Sequence, residues 1–393
     1  MGSATPDAES HSDRISLPNG QSMEQSGTSS RSAAEVKLMT LSPPPPEWIG
    51  NNELAQDYAL IHGMVMAPSF WRTYAPDVVR KSKSAAYALP GHHPWKLAAP
   101  GQSIPPEAVA AAYAEALRRD FGGRPVTLIG HSTGGFVSLL IARHYPELVK
   151  SIVLIGAFAC GRFEGQERLP AKLLRVPRVG YFLFRQFFQR WISTSEQFRW
   201  GSVECVFDKG CPWQNDRAVE AMEDVRLQLQ QARPEDIAAC IHFMSATTLV
   251  ADLPSIRVPV LNIVGADDAI VPPAHQLRVS KLLPQVQTVL LRNCGHLPMV
   301  EHQTLTAGAI SAFVDGVATL QAKNRRPIAG KAAAQMFQFM RMSLNRTEQS
   351  PAGRVQTAQD SILHQGLGEG PHEYHPHRHS YSVADRRPAK LGT

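Results

Sequence analysis

A serine, an aspartate and a histidine lie far apart in the chain, and each follows a short apolar segment. Ser132 is the central residue of the sequence Gly-His-Ser-Thr-Gly, whereas Asp268 and His296 lie in two later loops. A histidine can accept the proton of a serine hydroxyl, and a carboxylate can orient the imidazole and stabilise its charged form. The three side chains could therefore attack a carbonyl carbon and form an acyl intermediate, which makes them the predicted catalytic residues.

The residues around Ser132 predict a strand that turns sharply into a helix. Residues 126–129 form an apolar run rich in β-branched side chains, and residues 136–145 place apolar side chains at helical spacing. Gly130 and Gly134 flank the serine, as is required where strand and helix backbones come close together. The N–H groups at the start of such a helix have no partner within it, so they can stabilise negative charge on a substrate.

This corner resembles the nucleophile elbow of the α/β-hydrolase family, and two further segments support the resemblance. Residues 265–272 match the family pattern G-x-x-D-x-x-V-P, in which Asp268, rather than its neighbour Asp267, is the acid. The sequence Asn-Cys-Gly-His-Leu-Pro around His296 is similar to the family's histidine loop, and the nearby His302 is predicted to be a surface residue. The order serine, aspartate, histidine along the chain is also that of the family.

The resemblance also implies an oxyanion hole and a set of substrate contacts. His-Gly-Met follows a predicted strand at the point where the family often has His-Gly, and Trp71 lies where the family usually has a tryptophan. The backbone N–H groups of Met64 and Thr133 are therefore the expected donors to the oxyanion. The residues expected to contact the substrate are His62, Gly63, His131 and Trp191.

A serine nucleophile implies acyl chemistry, because family members that open epoxides or cleave carbon–halogen bonds have an aspartate there. We predict a serine hydrolase, an esterase, that cleaves a small or medium apolar ester through an acyl-enzyme, with a small-molecule acyl substrate. An acyltransferase, a thioesterase or a hydrolase of carbon–carbon bonds could use the same catalytic triad. A non-catalytic binding protein on this fold is the remaining alternative, and the presence of all three triad residues argues against it.

Two groups of histidines could suggest a metal site. His92 and His93 lie in a segment close to the family's L-P-G-H-G-x-S turn, and neighbours in sequence rarely bind one ion without further ligands. Four more histidines lie between residues 372 and 379, in a polar tail. We predict a structural loop for the first group and a disordered tail for the second, so that neither a metal nor an organic cofactor is expected.

The alternation of strands and helices predicts an α/β fold, namely a mostly parallel α/β-hydrolase sheet with helices on both faces. The core is expected at residues 35–157 and 254–320, with a helical cap, rich in aromatic side chains, inserted at 158–253. Residues 1–34 are predicted to be a disordered tail, and residues 321–393 a basic and largely disordered one. The predicted strands are 35–41, 58–61, 85–89, 126–129, 151–155, 258–264 and 287–291, and the predicted core helices include 106–119 and 303–320.

The charge distribution argues against a nucleic-acid partner. The net charge is +6, and residues 321–393 hold 11 Lys and Arg against 5 Asp and Glu, so the tail carries the whole excess. A basic tail is not a basic groove. A weak peripheral contact with a membrane is the alternative, through the tail or through the basic residues that lie among the aromatic side chains of the cap. These basic residues are Lys172, Arg175, Arg178, Arg185 and Arg190.

The remaining features favour a cytoplasmic protein. The N-terminus is polar and lacks the apolar core of a signal peptide, and no stretch of the chain is apolar for long enough to span a bilayer. The 5 cysteines are odd in number and show no C-x-x-C spacing, which is typical of reduced thiols. The oligomeric state is left open.

Overall fold

The structure, a computed structural model, describes residues 41–161, 172–176, 179–211, 214–324 and 355–357. The strands within these ranges form one sheet. Its strands are β1 (Glu47–Trp48), β2 (Leu54–Ile61), β3 (Ser82–Tyr87), β4 (Val126–His131), β5 (Val149–Ile155), β6 (Val260–Gly265), β7 (Val286–Leu291) and β8 (Val355–Thr357). Their order across the sheet is β1-β3-β2-β4-β5-β6-β7-β8. Strands β2 to β7 run parallel, and β1 and β8 pair antiparallel at the two edges. The predicted mostly parallel α/β sheet is confirmed.

Helices cover both faces of this sheet, and further helices lie in the segment between β5 and β6. They are α1 (Phe70–Tyr74), α2 (Asp77–Arg80), α3 (Pro106–Phe121), α4 (Thr133–His144), α5 (Val179–Trp191), α6 (Ser195–Ser202), α7 (Asp216–Gln231), α8 (Pro234–Ala246), α9 (Pro273–Leu282), α10 (Pro298–Glu301) and α11 (Gln303–Asn324). Successive β4 residues point to opposite faces, so that Leu128 joins the hydrophobic cluster under α3 and α4, whereas Ile129 joins the cluster under α1 and α11. Within the described ranges, no helix has both the length and the apolar character needed to cross a bilayer.

The central strands agree well with their predicted positions, because their residues are buried on both faces and form apolar runs. All six residues of β4 and of β6 are buried. β2 starts at Leu54, earlier than expected, because its first half is exposed or half-buried and carries polar side chains that hide the pattern. β3 includes the buried Ser82 and Ser84, whose hydroxyls each donate to a backbone carbonyl at 2.6 Å.

The sheet edges differ from the prediction. The strand expected at 35–41 lies outside the described residues, except for Leu41, which is buried without regular structure. The two-residue β1 follows the proline run instead and is too short to leave a sequence pattern. In the segment predicted to be a largely disordered tail, α11 continues to Asn324 and β8 pairs with β7. The remainder of both tails lies outside the described residues.

Residues 158–253 lie between β5 and β6, and we call them the insertion. Its described residues include helices α5 to α8, so the segment expected to be a cap is largely helical. The start of α8 is tied to the core by Asp236, a fully buried carboxylate that accepts hydrogen bonds from the N–H groups of Leu97, at 3.2 Å, and Gly101, at 3.0 Å. Arg233 neutralises this carboxylate in an ion pair of 2.7 Å.

The corner between β4 and α4 leaves no room for side chains at its two glycines. A Cβ atom at Gly130 would lie 2.5 Å from the carbonyl carbon of Gly134. A Cβ atom at Gly134 would lie 2.6 Å from the carbonyl oxygen of His62, and closer still to that of Ile61. Because these neighbours are backbone atoms of a buried helix and at the end of a buried strand, they cannot move aside at low cost.

We therefore expect Gly134→Ala to lower the free energy of unfolding by at least about 2 kcal/mol, or to prevent folding. Gly308→Ala is the matched control, because Gly308 lies within α11 and a Cβ atom there meets nothing within 4 Å. Removing that helical glycine should stabilise the protein by up to about 1 kcal/mol. Urea unfolding followed by circular dichroism measures both changes, and equal shifts in the two variants would contradict the steric argument.

Candidate active site

Ser132 connects β4 to α4 in a conformation that residues other than glycine rarely adopt. Its φ is 52° and its ψ is −117°. The backbone around it holds this geometry, because the Ser132 N–H donates to the carbonyl oxygen of Ile155 at 2.8 Å. Its own carbonyl oxygen accepts hydrogen bonds from Gly135 and Phe136 in the first turn of α4. The serine therefore lies at the carboxyl end of β4, at the start of a buried helix.

His296 and Asp268 form a buried hydrogen-bonded pair in the loops that follow β7 and β6. The distance from His296 Nδ1 to Asp268 Oδ2 is 2.7 Å. An ionised carboxylate only accepts hydrogen bonds, so Nδ1 is the donor, and the neutral imidazole keeps a lone pair on Nε2. This tautomer is the one that a general base needs for accepting a proton through Nε2.

Asp268 is held in place by three further donors. Its Oδ1 accepts the N–H groups of Ile270, at 2.8 Å, and Val271, at 2.9 Å. Its Oδ2 also accepts Gln276 Nε2 at 2.8 Å, and the same amide nitrogen donates to the carbonyl oxygen of Val271. Gln276 lies in α9 and belongs to none of the motifs, so that only the folded chain shows its role.

The neighbouring aspartate and histidine have other partners. Asp267 is exposed, and its Oδ2 accepts the N–H of Asn293 at 3.0 Å. His302 was predicted to be a surface residue, but it is half-buried and its Nε2 lies 3.0 Å from the carbonyl oxygen of Asn293. Both residues support the loop that precedes His296, and it is Asp268 that bonds to the imidazole.

His131 brings the serine and the histidine loop together. Its Nε2 lies 2.9 Å from the carbonyl oxygen of His296, and the two rings are 4.8 Å apart. Gly156 follows Ile155, whose carbonyl oxygen accepts the N–H of Ser132. A Cβ atom at Gly156 would lie only 3.1 Å from His296 Nδ1, so Gly156 lies against the imidazole. These contacts bring the histidine loop next to the β4–α4 corner at the carboxyl edge of the sheet, as parallel strands allow.

The loop after β2 is fixed by two buried histidines. His62 Nδ1 is 2.7 Å from the carbonyl oxygen of Gly63, and His62 Nε2 accepts a hydrogen bond from the N–H of Leu89 at 3.2 Å. His92 Nε2 accepts the N–H of Val65 at 3.0 Å, which holds this β-branched residue at a φ of 52°. Met64, the expected oxyanion donor, is half-buried between these anchors.

Thr133 is the other expected oxyanion donor. As the first residue of α4, it has a backbone N–H with no acceptor inside the helix. The Thr133 side chain is fully buried, and its hydroxyl contacts Met244 Sδ at 3.4 Å. A helix N-terminus at this position also favours negative charge on a bound oxygen.

Burial keeps the supporting histidines neutral. Loss of hydration is the largest cause of the lowered pKa in each case: the pKa of His62 lies well below its ordinary value, that of His92 is about 4, and that of His131 is about 3. The nearby His92 lowers the pKa of His62 further, and His296 does the same for His131. All three rings therefore remain uncharged at neutral pH.

The expected substrate contacts are revised by these positions. His62 is fully buried with both ring nitrogens hydrogen-bonded to the backbone, so neither nitrogen is available to a ligand. His131 is buried against Gly63, where a Cβ atom would lie 2.6 Å from the ring. The indole of Trp191 packs on Phe198 and donates to its carbonyl oxygen at 3.2 Å, inside the insertion. His62 and His131 therefore support the loops of the site, and Trp191 packs within the insertion.

The insertion contacts the candidate site through the histidine loop. The carbonyl oxygen of Cys205 accepts the N–H of His296 at 2.7 Å. Glu301 joins the same two segments, because Oε1 accepts the N–H of Gly295 at 2.7 Å and Oε2 accepts that of Phe207 at 2.7 Å. Burial raises the pKa of this carboxyl, and the N–H donors counteract the rise. Glu301 was missed in the sequence, where one acid after an apolar Leu-Pro-Met-Val segment was its only signal.

Two other features of the described residues lie apart from this site. No group of three or more His, Cys, Asp or Glu in those ranges is arranged to hold a metal ion. A cavity of about 830 Å³ opens at the far end of α4, lined by Arg143 and His144, whereas Ser132 precedes the start of that helix.

Comparison with known proteins identifies the fold. A family model described as "alpha/beta hydrolase fold" matches residues 42–303. The solved structure of a thermophilic esterase from Thermogutta terrifontis aligns with a TM-score of 0.54 and 22% identity, over 69% of this chain and 92% of that one. A meta-cleavage product hydrolase from Pseudomonas fluorescens IP01 aligns with a TM-score of 0.53 and 18% identity, over 68% of this chain and 93% of that one. At such identities, the structures establish the fold alone.

Similar curated proteins include several named pimeloyl-[acyl-carrier protein] methyl ester esterase. The relative from Aromatoleum aromaticum is 27% identical over 263 residues, which cover 66% of this chain and 98% of the relative. The relative from Neisseria meningitidis serogroup A is 27% identical over 286 residues, which cover 69% of this chain and 80% of the relative.

The buried neutral histidines predict a loss of stability in acid. Their pKa values in the folded state lie below the value of about 6.5 expected in the unfolded chain, so the unfolded chain binds protons that the folded chain does not. Stability is therefore full above about pH 6.5 and falls as the pH drops toward the folded pKa. At pH 5, we expect His92 to account for about 2 kcal/mol of this loss.

Urea unfolding at about pH 7 and about pH 5 tests this expectation. His92→Gln keeps an acceptor for the Val65 N–H but cannot titrate, so it should lose less stability between the two pH values than the unsubstituted protein. His144→Gln, which changes an exposed ring at the end of α4, is the control and should leave the pH dependence unchanged. A pH dependence that is the same in all three proteins would refute the assignment.

Proposed function

Because the chain belongs to the α/β-hydrolase fold family and is an esterase-type hydrolase, we propose that it is a serine enzyme. Its proposed reaction is the cleavage of a small or medium apolar carboxylic ester through an acyl-enzyme. One observation supports the proposal above the others. A serine at positive φ lies at the same sheet edge as a buried histidine, whose Nδ1 is 2.7 Å from a carboxylate. This arrangement supports the proposal that Nε2 of His296 is the base and Ser132 the nucleophile.

In the proposed first step, His296 Nε2 takes the hydroxyl proton of Ser132 while the serine oxygen attacks the ester carbonyl carbon. The carbonyl oxygen becomes negatively charged and accepts hydrogen bonds from the Met64 and Thr133 N–H groups. Asp268 stabilises the imidazolium that forms, and its own position is fixed by the donors of the following turn and of α9.

In the proposed second step, the tetrahedral intermediate collapses and the carbon–oxygen bond to the alcohol breaks. The His296 imidazolium gives its proton to the leaving alkoxide, which departs as an alcohol and leaves Ser132 acylated. The imidazole then takes a proton from water, and the resulting hydroxide attacks the acyl carbon. The second collapse releases the carboxylic acid and returns the proton to the serine oxygen.

The proposed substrate is a methyl ester of an apolar acyl chain. This class is supported by the names of the relatives, which are methyl ester esterases. Apolar side chains also surround the candidate site, since Met64, Val206 and Leu297 belong to or pack against one hydrophobic cluster that continues into the insertion. Such walls favour an alkyl chain over a charged one, because burying an unpaired charge there is costly.

A second candidate is a thioesterase or acyltransferase that uses the same residues on a carrier-bound acyl group. The relatives' names include an acyl-carrier protein as part of the substrate on which those enzymes act. A thioester would acylate Ser132 by the same steps, with a thiol as the leaving group. Carbon–carbon bond hydrolysis is the weaker alternative, because the names of the curated relatives describe ester cleavage.

The nucleophile and the acid can be tested separately. A fluorophosphonate probe should label the folded protein, and Ser132→Ala should abolish the labelling. Asp268→Asn should lower kcat by about 10⁴, because the amide favours the wrong imidazole tautomer. Asp267→Asn is the matched control: its carboxylate is exposed and bonds to Asn293 instead, so kcat should change little. An absence of labelling in folded protein would point to a non-catalytic binding protein, and a reversed order of the two aspartate variants would move the acid to Asp267.

The leaving group and acceptor require product analysis. Methyl butanoate, octanoate and dodecanoate, together with the matching carrier-bound thioesters, should separate the two candidates by kcat/KM. We expect the methyl esters to be the better substrates and free acid to be the main product, even when an alcohol acceptor is present. A product dominated by the transferred acyl group, or a clear preference for the thioesters, would favour the second candidate.

A further inference from the structure

Helix α5 of the insertion is apolar on two opposite sides. Its inner side is buried through Gly180, Phe184 and Phe188. Large apolar side chains also lie on the solvent side of the same helix, with exposed fractions of 59% for Val179, 58% for Phe182, 44% for Leu183 and 48% for Phe187. We call these four residues the outer face of α5.

The outer face is continuous along the helix. Val179, Leu183 and Phe187 follow one another at four-residue spacing, and Phe182 lies beside them, so that the four side chains cover neighbouring positions over two turns. The turn before the helix adds Val176, which is 50% exposed. Isolated exposed apolar residues are common, but a contiguous group of this size indicates a surface that meets an apolar partner.

The charges around the outer face are all positive within its own segment. Residues 171–195 contain five basic and no acidic side chains. Lys172, Arg185 and Arg190 are exposed in the structure. The acids of adjoining elements include Glu196 in the first turn of α6, Glu223 of α7, which accepts a hydrogen bond from Ser195 at 2.7 Å, and Glu235 of α8. Hydrogen bonds from its own backbone N–H and from Tyr181 lower the pKa of Glu235, and the nearby Arg185 lowers it further. The surface is therefore apolar at its centre and basic at its margins.

We propose that the outer face of α5 binds an anionic lipid surface. Large apolar side chains can insert between the headgroups while the arginines and lysine bind lipid phosphates, the arrangement of an interfacial helix. A second copy of this chain fits less well, because a symmetric contact would bring the same positive charges together. A small acidic protein would match the charge but would leave the apolar centre without a matching surface.

This orientation would place the walls of the candidate site at the membrane. The inner side of α5 belongs to the same hydrophobic cluster that Met64, Val65 and Leu297 join or pack against, next to the candidate oxyanion loop and histidine loop. An apolar acyl chain dissolved in the lipid would then meet the protein on the side of this shared hydrophobic cluster. Membrane binding itself does not depend on the proposed hydrolysis, so the two proposals can fail independently.

Flotation of the full-length protein with lipid vesicles tests the proposal. We expect at least about 10-fold more protein to float with phosphatidylcholine vesicles that contain roughly 30% phosphatidylglycerol than with pure phosphatidylcholine, and less at high salt. The double substitution Phe182→Ser and Leu183→Ser should reduce binding about 10-fold. Val219→Ser with Leu227→Ser is the matched control, because both residues are exposed apolar side chains on α7.

A charge pair completes the design. Arg185→Glu with Arg190→Glu should also reduce binding to the anionic vesicles, whereas all variants should keep the circular dichroism spectrum and the fluorophosphonate labelling of the starting protein. No binding by the unsubstituted protein would overturn the proposal. Binding that survives both pairs of outer-face substitutions would also overturn it, and would assign the lipid contact to the basic C-terminal tail. Self-association, or binding to an acidic carrier protein, that is lost with Phe182→Ser in the absence of lipid would overturn it in favour of a protein partner.

Discussion

The close approach of three backbones at the β4–α4 corner is the constraint on which the candidate site depends. Gly130 lies against Gly134, and Gly134 lies against the carbonyl groups of Ile61 and His62 at the end of β2. The corner therefore holds Ser132 at positive φ and, by the same contact, sets the distance between the serine and the loop of Met64. One steric requirement positions both the proposed nucleophile and one proposed oxyanion donor, so the two cannot drift apart while the fold is intact.

Around this corner, neutral imidazoles take the place of solvent as partners for the backbone. A neutral ring has one donor and one acceptor, and His62 uses both, toward Gly63 and Leu89. His92 likewise needs an unprotonated nitrogen to accept the N–H of Val65. Protonation would convert the acceptors into donors and leave buried N–H groups unpaired, which is why the burial that lowers the pKa of these rings also secures the loop.

The insertion is part of the site rather than an attachment to it. The carbonyl oxygen of Cys205 accepts the His296 N–H, and Glu301 binds Gly295 and Phe207 at the same time. A shift of this segment would break hydrogen bonds of the loop that carries the proposed base. The same insertion contains α5, whose outer face carries the exposed apolar side chains for which a lipid contact is proposed.

Features with a local cause could be predicted from the order of the residues. The glycines of the corner, the order of the three proposed catalytic residues and the buried parallel strands all leave patterns among near neighbours, because crowding and two-sided burial restrict residue type at each position. The contacts of Gln276 with Asp268 and of Glu301 with the histidine loop, and the complete burial of His62 and His131, became evident in the folded chain. Each of these roles depends on a partner that is distant in the sequence or on burial by other elements. The same reason explains the edge strands β1 and β8, whose two and three residues are specified by the strand they pair with.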